Sequence, residues 1–325
     1  MKKTAVSVVI AAYKGEKYIG ELLRSLFRQT CLPDEILIGD DSPDDLTVRA
    51  INAVIPEMPE TVHIDYVKNP SQLGVIQNFS ELAQRASGEY IFFCDQDDIW
   101  LEHKIETMRH TLEIHPECDL AACDSMRVTA DLQPLERMVN PDCVAVNKEE
   151  FFRKIWKFSG TFSAHNLVLR NQKNNGVPFP ADFGEYHDRW LVLFHGIKNK
   201  IVYTDQVLTL YRIHDSNLSA PQVHGYSKNF FQRLREIRMK ADEDLNTTLK
   251  RCLRYRELLL ADISADQIPE ENFTYMNKSI AYFQWRVSNR QSRSRLLRIM
   301  KAIPHIREYF EYSNGYKSFL RDCIL

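Results

Sequence analysis

Asp95 and Asp97 stand two residues apart in Asp95-Gln96-Asp97-Asp98, directly after the stretch 89–94, Glu-Tyr-Ile-Phe-Phe-Cys. That stretch reads as a buried strand, and side chains two apart along an extended chain point the same way. The two carboxylates are therefore expected to converge at a strand's carboxyl end, where hard oxygen donors suit a divalent cation such as Mg2+ or Mn2+. A nucleoside diphosphate is the natural partner of such a site. In isolation the same acids also fit a turn that caps a helix opening near Trp100, so the elements around them carry the weight.

Those elements alternate. Residues 6–12 form a continuous β-branched and apolar run, as in a strand covered on both faces. Residues 18–29 follow as a helix whose Ile19, Leu22, Leu23, Leu26 and Phe27 make one apolar stripe, and 35–39 form a second strand. This βαβ start predicts an α/β fold with a right-handed crossover and a mainly parallel central sheet. The ligand edge of such a sheet is the carboxyl ends of its strands, where Asp40-Asp41-Ser42 lies. The pattern continues with helix 45–55, strand 62–67, helix 78–86 closed by Ser87-Gly88, the acid-bearing strand, helix 101–115 and strand 120–123. Regularity then fades. Residues 126–135 read as a hairpin or loop, 166–169, 201–203 and 207–213 as short strands, and a helix is expected from near Tyr186 to Gly196.

From about Ser227 the chain reads as helical and basic, with Phe230-Phe231, Leu234 and Ile237 set against Arg233, Arg235, Arg238 and Lys240. In 281–325 nine Lys or Arg face three acids, a net +6, which suits helices lying on an anionic membrane or packed on a catalytic domain. The expected division is a catalytic domain over 1–220 and a helical, basic region over 221–325.

Bulk properties narrow the classes. A chain of 325 residues that is 44% apolar can build a large α/β domain with an appendage. A net charge of −2, without a long basic block in the N-terminal two thirds, excludes bulk nucleic-acid binding. Seven cysteines, an odd number with no C-x-x-C pair, read as reduced packing residues. Met1-Lys2-Lys3 with the run 6–12 imitates a signal peptide, but Tyr13-Lys14-Gly15-Glu16 offers no small-residue cleavage site, and the run reads as a first strand. No apolar stretch is long enough for a bilayer span.

Several nucleotide sites fall away on motif grounds. The loop Ala11-Ala12-Tyr13-Lys14-Gly15-Glu16 is neither a dinucleotide fingerprint nor a P-loop. An EF-hand would need an oxygen ligand at Ile99 and a glycine at Trp100. A phosphotransferase with an aspartate nucleophile would carry it on the first strand, which ends without an acid. What remains is a rim to which the first, second and fourth strands bring Tyr13, Asp41 and Asp95 with Asp97. A tyrosine can stack on a base, one carboxylate can accept an imide N–H, another can take ribose hydroxyls, and a metal-bound one can address a diphosphate.

Ser7-Val8-Val9-Ile10-Ala11-Ala12-Tyr13, Gln29-Thr30, Glu35 to Ser42, Asn69 with Leu73-Gly74-Val75 and Asn78-Phe79, and the Asp95 to Leu101 run occur in a characteristic order and spacing. In these the chain resembles a family 2 glycosyltransferase of the GT-A fold, over roughly 6–219. The run Phe93-Cys94-Asp95-Gln96-Asp97-Asp98-Ile99-Trp100 is most similar to the bacterial rhamnosyltransferase-like branch, which builds surface polysaccharides.

The resemblance implies that Ala11, Tyr13 and Asp41 hold the base, Asp95 the ribose and Asp97 the Mn2+ or Mg2+, while Asp98 shapes the turn. It places the catalytic base in His187-Asp188-Arg189-Trp190, with Asp188 as the candidate, and a metal or diphosphate role on His214 within 211–219. Ser159-Gly160-Thr161-Phe162-Ser163-Ala164 resembles the acceptor-side loop but departs from the commoner Cys-Thr-Met pattern.

The implied reaction is an inverting, metal-dependent transfer from a UDP- or dTDP-linked sugar, rhamnosyl transfer included, to a saccharide or lipid-linked saccharide. Its expected setting is cytoplasmic and peripheral at the inner face of the membrane. Two other readings stay open. A nucleotide-sugar-forming nucleotidyltransferase would need a basic pyrophosphate loop after the first strand, where only Lys14 stands. A non-catalytic saccharide-binding module on the same fold would have no need of the full set Asp95, Asp97 and Asp188.

Overall fold

The structure, a computed structural model, describes the backbone of all residues except 1–4, 139–147, 158–161, 172–178, 181–182, 184–186, 216–229, 293 and 325, and no side chains at 148–149, 230–243, 265 or 324. The chain divides into two compact units, Met1–Ala220 and Pro221–Leu325.

The first unit contains β1 (Val6–Ala12), α1 (Ile19–Phe27), β2 (Glu35–Asp40), α2 (Leu46–Val54), β3 (His63–Lys68), α3 (Val75–Arg85), β4 (Tyr90–Asp95) and β5 (Ile99–Trp100). It continues with α4 (Lys104–Ile114), β6 (Leu120–Val128), β7 (Pro134–Met138), α5 (Lys148–Trp156), β8 (Leu167–Arg170), α6 (His187–Gly196) and β9 (Ile201–Arg212). The described strands form one sheet in the order β3-β2-β1-β4-β8-β6-β9-β5, with β7 beside β6. β1 pairs in parallel with β2 and β4, and β2 with β3. β8 then enters antiparallel to both β4 and β6. The sheet is thus parallel where the alternation was regular and mixed where it faded.

The parallel half is the core. Val6, Val8 and Ile10 of β1 and Tyr90 and Phe92 of β4 are buried, and α1 lays Ile19, Leu22, Leu23 and Leu26 onto them at the i, i+3, i+4, i+7 spacing of one helix face. Gln29 fastens the far end of that helix: its Nε2 donates to the Leu101 carbonyl (2.8 Å) and its Oε1 accepts from the Ile105 amide (3.1 Å).

The helices α3, α4 and α5 and the strand β9 differ from their sequence expectation. α3 begins at Val75 instead of Asn78, because Gly74 at φ 81 supplies a start that a side chain would resist, and its amide donates to Asp41 Oδ2 (2.9 Å). The helix expected from Leu101 begins at Lys104. Trp100 N–H donates to Ser25 Oγ (3.1 Å) and Leu101 N–H to the Leu208 carbonyl (3.1 Å), so this segment is held as strand β5 against β9. The two strands expected at 201–203 and 207–213 are one, β9, whose polar break at Asp205-Gln206 is absorbed as register shifts against β6. The 126–135 segment is a hairpin: β6 runs on to Val128 and turns, with Leu132 at φ 62, into β7. Helix α5 was not anticipated at all. It buries Phe152, Ile155 and Trp156 along one side.

The second unit comprises α7 (Phe230–Asp262), α8 (Glu270–Arg290), α9 (Arg295–Ala302), α10 (Ile306–Tyr312) and α11 (Tyr316–Ile324). Its aromatic core of Tyr275, Tyr282, Phe283, Tyr309 and Tyr312 surrounds a buried carboxylate, Asp322. Asp322 accepts from Arg286 (2.7 and 2.9 Å), Arg290 (3.2 Å) and the Tyr309 hydroxyl (2.7 Å), the compensation a buried charge requires. Three of the basic residues counted in 281–325, Arg286, Arg290 and Arg298, are therefore interior. Among the described residues no helix is long and apolar enough to cross a membrane. Residues 227–229 lie outside the described residues, as do the side chains of Phe230, Phe231, Leu234 and Ile237.

Candidate active site

The strand register brings the expected rim together. Ala11 is level with Gly39 of β2 and Asp95 of β4, and Ala12 with Asp40. The loop that follows β1 is stitched to the segment after β2: Lys14 N–H donates to Ser42 Oγ (2.8 Å) and Gly15 N–H to Thr47 Oγ1 (3.0 Å). Tyr13 leaves the rim 42% exposed, with Lys14 Nζ over its ring at 5.3 Å from the centre. Its backbone is held on both sides by Gln96, whose Oε1 accepts from the Tyr13 amide and whose Nε2 donates to the Tyr13 carbonyl, each at 2.9 Å.

Asp41 is buried and already engaged. Its Oδ1 accepts from Asn69 Nδ2 (2.8 Å) and the Leu73 amide (3.1 Å), and its Oδ2 from the Gly74 amide (2.9 Å). It thus fixes the 69–74 loop beside the rim. Asn78 performs a similar task below it, donating to the Gly39 carbonyl (2.8 Å); a Cβ on Gly39 would collide with the Asn78 amide group.

The acids are sorted by the imidazoles they meet. Asp97 Oδ2 lies 2.8 Å from His214 Nε2, with side chains 15 and 13% exposed. Asp95 Oδ2 lies instead 3.3 Å from Nδ1 of His165, and the same nitrogen is 3.3 Å from Asp98 Oδ2. The His165 and Asp98 side chains are 1 and 0% exposed. The period-of-two reading placed Asp95 and Asp97 on one side of a strand. β4 ends at Asp95, however, and the chain turns through Gln96-Asp97-Asp98, so the alternation does not extend that far.

Asp95, Asp98 and His165 form a group whose ligand atoms all lie within 4.8 Å. Asp95, with its side chain 35% exposed, is the open member of this group. Asp98 Oδ1 accepts from the Arg212 amide (3.1 Å). Buried Lys104 stands nearby over the Trp100 ring at 3.9 Å, donating to Thr209 Oγ1 (2.7 Å) and to the His165 carbonyl.

Burial and the charge of Asp95 push the Asp97 carboxyl up, against the opposing pull of His214. Burial also acts to raise Asp95, but hydrogen bonding and charge from His165 outweigh it and hold Asp95 below the usual range. Asp98 is pushed well above that range by burial and by its two acidic neighbours.

Arg212 ties these pieces together. Its Nε donates to the Asp97 carbonyl (2.9 Å), Nη1 to the Ala130 carbonyl (2.6 Å) and Nη2 to Glu21 Oε2 (2.6 Å). Its guanidinium also lies 4.5 Å from the centre of the Tyr18 ring, and that ring packs 4.8 Å from His214.

Asp188 occupies the first turn of α6, where its Oδ1 accepts from the Arg189 amide (2.6 Å). Burial pushes its carboxyl up to about 7, and the charge of Asp95 acts in the same direction. Neighbouring His187 is buried against Phe79 (ring centres 4.1 Å apart) and close to Phe93, and burial lowers its pKa to about 4. It is a neutral apolar wall beside the carboxylate. Tyr186, expected to open this helix, lies outside the described residues, as do Ser159, Gly160 and Thr161 of the expected acceptor loop and Ser216 to Ser219 after Asp215. Phe162, the next acceptor-loop residue, stacks on Tyr203 at 5.5 Å.

Sequence reasoning missed His165, Arg212 and Gln96 as parts of this site. Gln96 sits inside the acidic run and Arg212 two residues before His214, so proximity to singled-out residues was a usable signal for both. His165 directly follows the expected acceptor-side loop ending at Ala164, but its contact with Asp95 spans 70 residues of chain.

Residues 7–174 match glycosyl transferase family 2. The UDP-Glc:alpha-D-GlcNAc-diphosphoundecaprenol beta-1,3-glucosyltransferase WfaP of Escherichia coli is 26% identical over 261 residues, covering 78% of this chain and 97% of that protein. The dTDP-rhamnosyl transferase RfbG of Shigella flexneri is 26% identical over 248 residues, or 71% of this chain and 80% of that one. In three dimensions the chain is similar to S. aureus TarS 1-349 in complex with UDP-GlcNAc, with a TM-score of 0.52 at 17% identity over 97% of this chain and 91% of that one. It spans 54% of the longer TarS chain.

Proposed function

The chain belongs to glycosyl transferase family 2 and is a glycosyltransferase of the GT-A fold, and from that premise we propose that it is an inverting, metal-dependent enzyme of bacterial surface polysaccharide synthesis. Its donor is a UDP- or dTDP-linked hexose, rhamnose included, and its acceptor a saccharide or lipid-linked saccharide. The observation that carries the reading is the Asp97–His214 pair at 2.8 Å on the rim that also holds Tyr13 and Asp95. The names of WfaP and RfbG support the two donor classes, and that of WfaP supports a diphosphoundecaprenol-linked acceptor. Such an acceptor would draw a cytoplasmic enzyme to the inner face of the membrane, through its basic C-terminal helices.

The donor atoms fit a cation. A carboxylate oxygen and an imidazole nitrogen stand side by side and partly open to solvent, and the Asp97 carboxyl is raised by burial and then by a second acid, whose charge a positive ion would offset. Asp97 and His214 would hold Mn2+ or Mg2+, which when bound supplies Lewis-acid neutralisation of diphosphate charge.

The chain's own residues do the rest. Ala11, Tyr13 and Asp41 line the base subsite, with Tyr13 stacking and Asp41 ordering the 69–74 loop against it. Asp95, kept ionised by His165, accepts from the ribose hydroxyls. Asp188 takes the proton of an acceptor hydroxyl as that oxygen forms the new bond to the anomeric carbon and the bond to the diphosphate oxygen breaks on the opposite face. A carboxylate poised near neutrality is suited to that proton transfer, which typically contributes about 10²- to 10⁴-fold. No covalent enzyme intermediate intervenes, so the anomeric configuration inverts.

The test offers the full chain UDP-glucose, UDP-GlcNAc or dTDP-rhamnose with Mn2+ and a diphosphoundecaprenol-linked saccharide. Acceptor-dependent release of nucleoside diphosphate from one donor, with an inverted anomer in the product by NMR, is expected. A retained anomer, or no acceptor-dependent release from any nucleotide sugar, overturns the reading.

A further inference from the structure

Leu296 and Met300 of α9 and Ile303 just past its end recur at i, i+4 and i+7 and are 68, 60 and 57% exposed. Ile306 and Phe310 carry the same stripe into α10. The opposite faces of these helices are already buried through Arg298, Ala302, Tyr309 and Tyr312, so the stripe is surplus to the packing of the unit. Of the fifteen large apolar side chains exposed among the described residues, eight lie within 296–320. Single exposed apolar residues are ordinary, but this concentration marks a contact surface.

The exposed charge of these C-terminal helices is mostly of one sign. Between 295 and 321 the exposed charged residues are Arg295, Lys301, Arg307, Lys317 and Arg321 against Glu311 and the half-exposed Glu308, five positive to two negative. Arg286, Arg290, Arg298 and Asp322, counted with them in the sequence, are interior and do not contribute to the surface.

We infer that this face of the C-terminal unit docks on a bilayer of anionic lipids, its apolar stripe entering the headgroup boundary and its cations resting on lipid phosphates. Alternating apolar and cationic groups on one helical surface are what an anionic interface selects. A second copy of the chain is the poorer occupant. A two-fold interface apposes a patch to itself, and here that would set like charges against each other. The inference deepens the lipid-linked reading of the acceptor and rests on it only for the purpose of the contact.

Flotation of the full chain with phosphatidylglycerol-containing vesicles and with pure phosphatidylcholine vesicles tests it. Binding to the anionic vesicles is expected to exceed binding to the neutral ones by about tenfold or more and to fall steeply with salt. The doubly substituted Met300→Asp, Phe310→Asp chain and the triply substituted Lys301→Glu, Arg307→Glu, Lys317→Glu chain should each lose that binding at least about tenfold, with unchanged circular dichroism and unchanged donor hydrolysis. Equal affinity of the wild-type chain for both vesicle types, no flotation with either, or wild-type flotation by both variants overturns the inference. So does a concentration-dependent dimer that disappears in the apolar variant. Vesicle binding without transfer to a lipid-linked acceptor would leave the docking surface standing and remove the acceptor reading instead.

Discussion

His214 Nε2 lies 2.8 Å from Asp97 Oδ2, joining the end of β9 to the turn after β4 across 117 residues of chain. Burial and the Asp95 carboxylate disfavour the charge on Asp97, so ionising it in the folded chain works against stability. Asp97→Asn should therefore leave the thermal midpoint unchanged or slightly raised, while Mn2+-dependent turnover falls by about 10²-fold or more. Paired thermal-shift and activity measurements check both parts, and a variant with wild-type turnover would remove Asp97 from the metal role.

The pH dependence should be set by Asp188. Its folded pKa of about 7 lies above the ordinary carboxylate value, so the fold favours its neutral form and its contribution to stability falls as pH rises toward 7. Activity runs the other way, because the base must be ionised. The kcat of the wild-type chain should climb between about pH 6 and 8 with an inflection near 7, and Asp188→Asn should lose about 10²- to 10⁴-fold in kcat with donor binding retained. A profile flat through that range would contradict the assignment.

Arg212→Ala should be the most damaging single change at the rim. It deletes the hydrogen bonds to the Asp97 and Ala130 carbonyls and to Glu21, together with the packing on Tyr18. A loss of about 3 kcal/mol is expected by urea denaturation. Arg212→Lys should recover only part of it, since a single ammonium cannot reproduce the planar fork.

Gln96 separates two effects. Both of its hydrogen bonds go to the exposed Tyr13 backbone, so Gln96→Ala should cost only about 1 kcal/mol of stability. It should nevertheless raise KM for the donor, because the tyrosine that stacks on the base loses its brace. Gln96→Glu keeps an acceptor for the Tyr13 amide but sets a carboxylate against the Tyr13 carbonyl, and should be worse than alanine in KM. Steady-state kinetics at varied donor concentration distinguish the three proteins.

Much of this architecture was legible in the amino-acid order. β1 spans Val6–Ala12 as the unbroken β-branched run predicted, and α1 buries the expected stripe, because both are fixed by burial on short-range patterns. The start of α4 was misread because the Trp100 and Leu101 amides are captured by Ser25 and by β9, partners remote in sequence. For the same reason the rim acids were visible as a group while their partners were not. His165 reaches Asp95 from the turn before β8, 70 residues away in the chain, and the loop-holding bonds of Asp41 depend on where Leu73 and Gly74 arrive. The turn at Gln96 separates two carboxylates that an extended chain would have aligned.

The central claim is that Asp97 and His214 couple a divalent cation to a nucleoside diphosphate. Calorimetric titration of UDP and dTDP into the wild-type, Asp97→Asn and His214→Ala chains, with and without Mn2+, addresses it directly. The account predicts that Mn2+ tightens binding of one nucleotide to the wild-type chain by at least about tenfold, and that this coupling disappears in both variants. Binding indifferent to Mn2+, or the same Mn2+ enhancement in the variants, would contradict it.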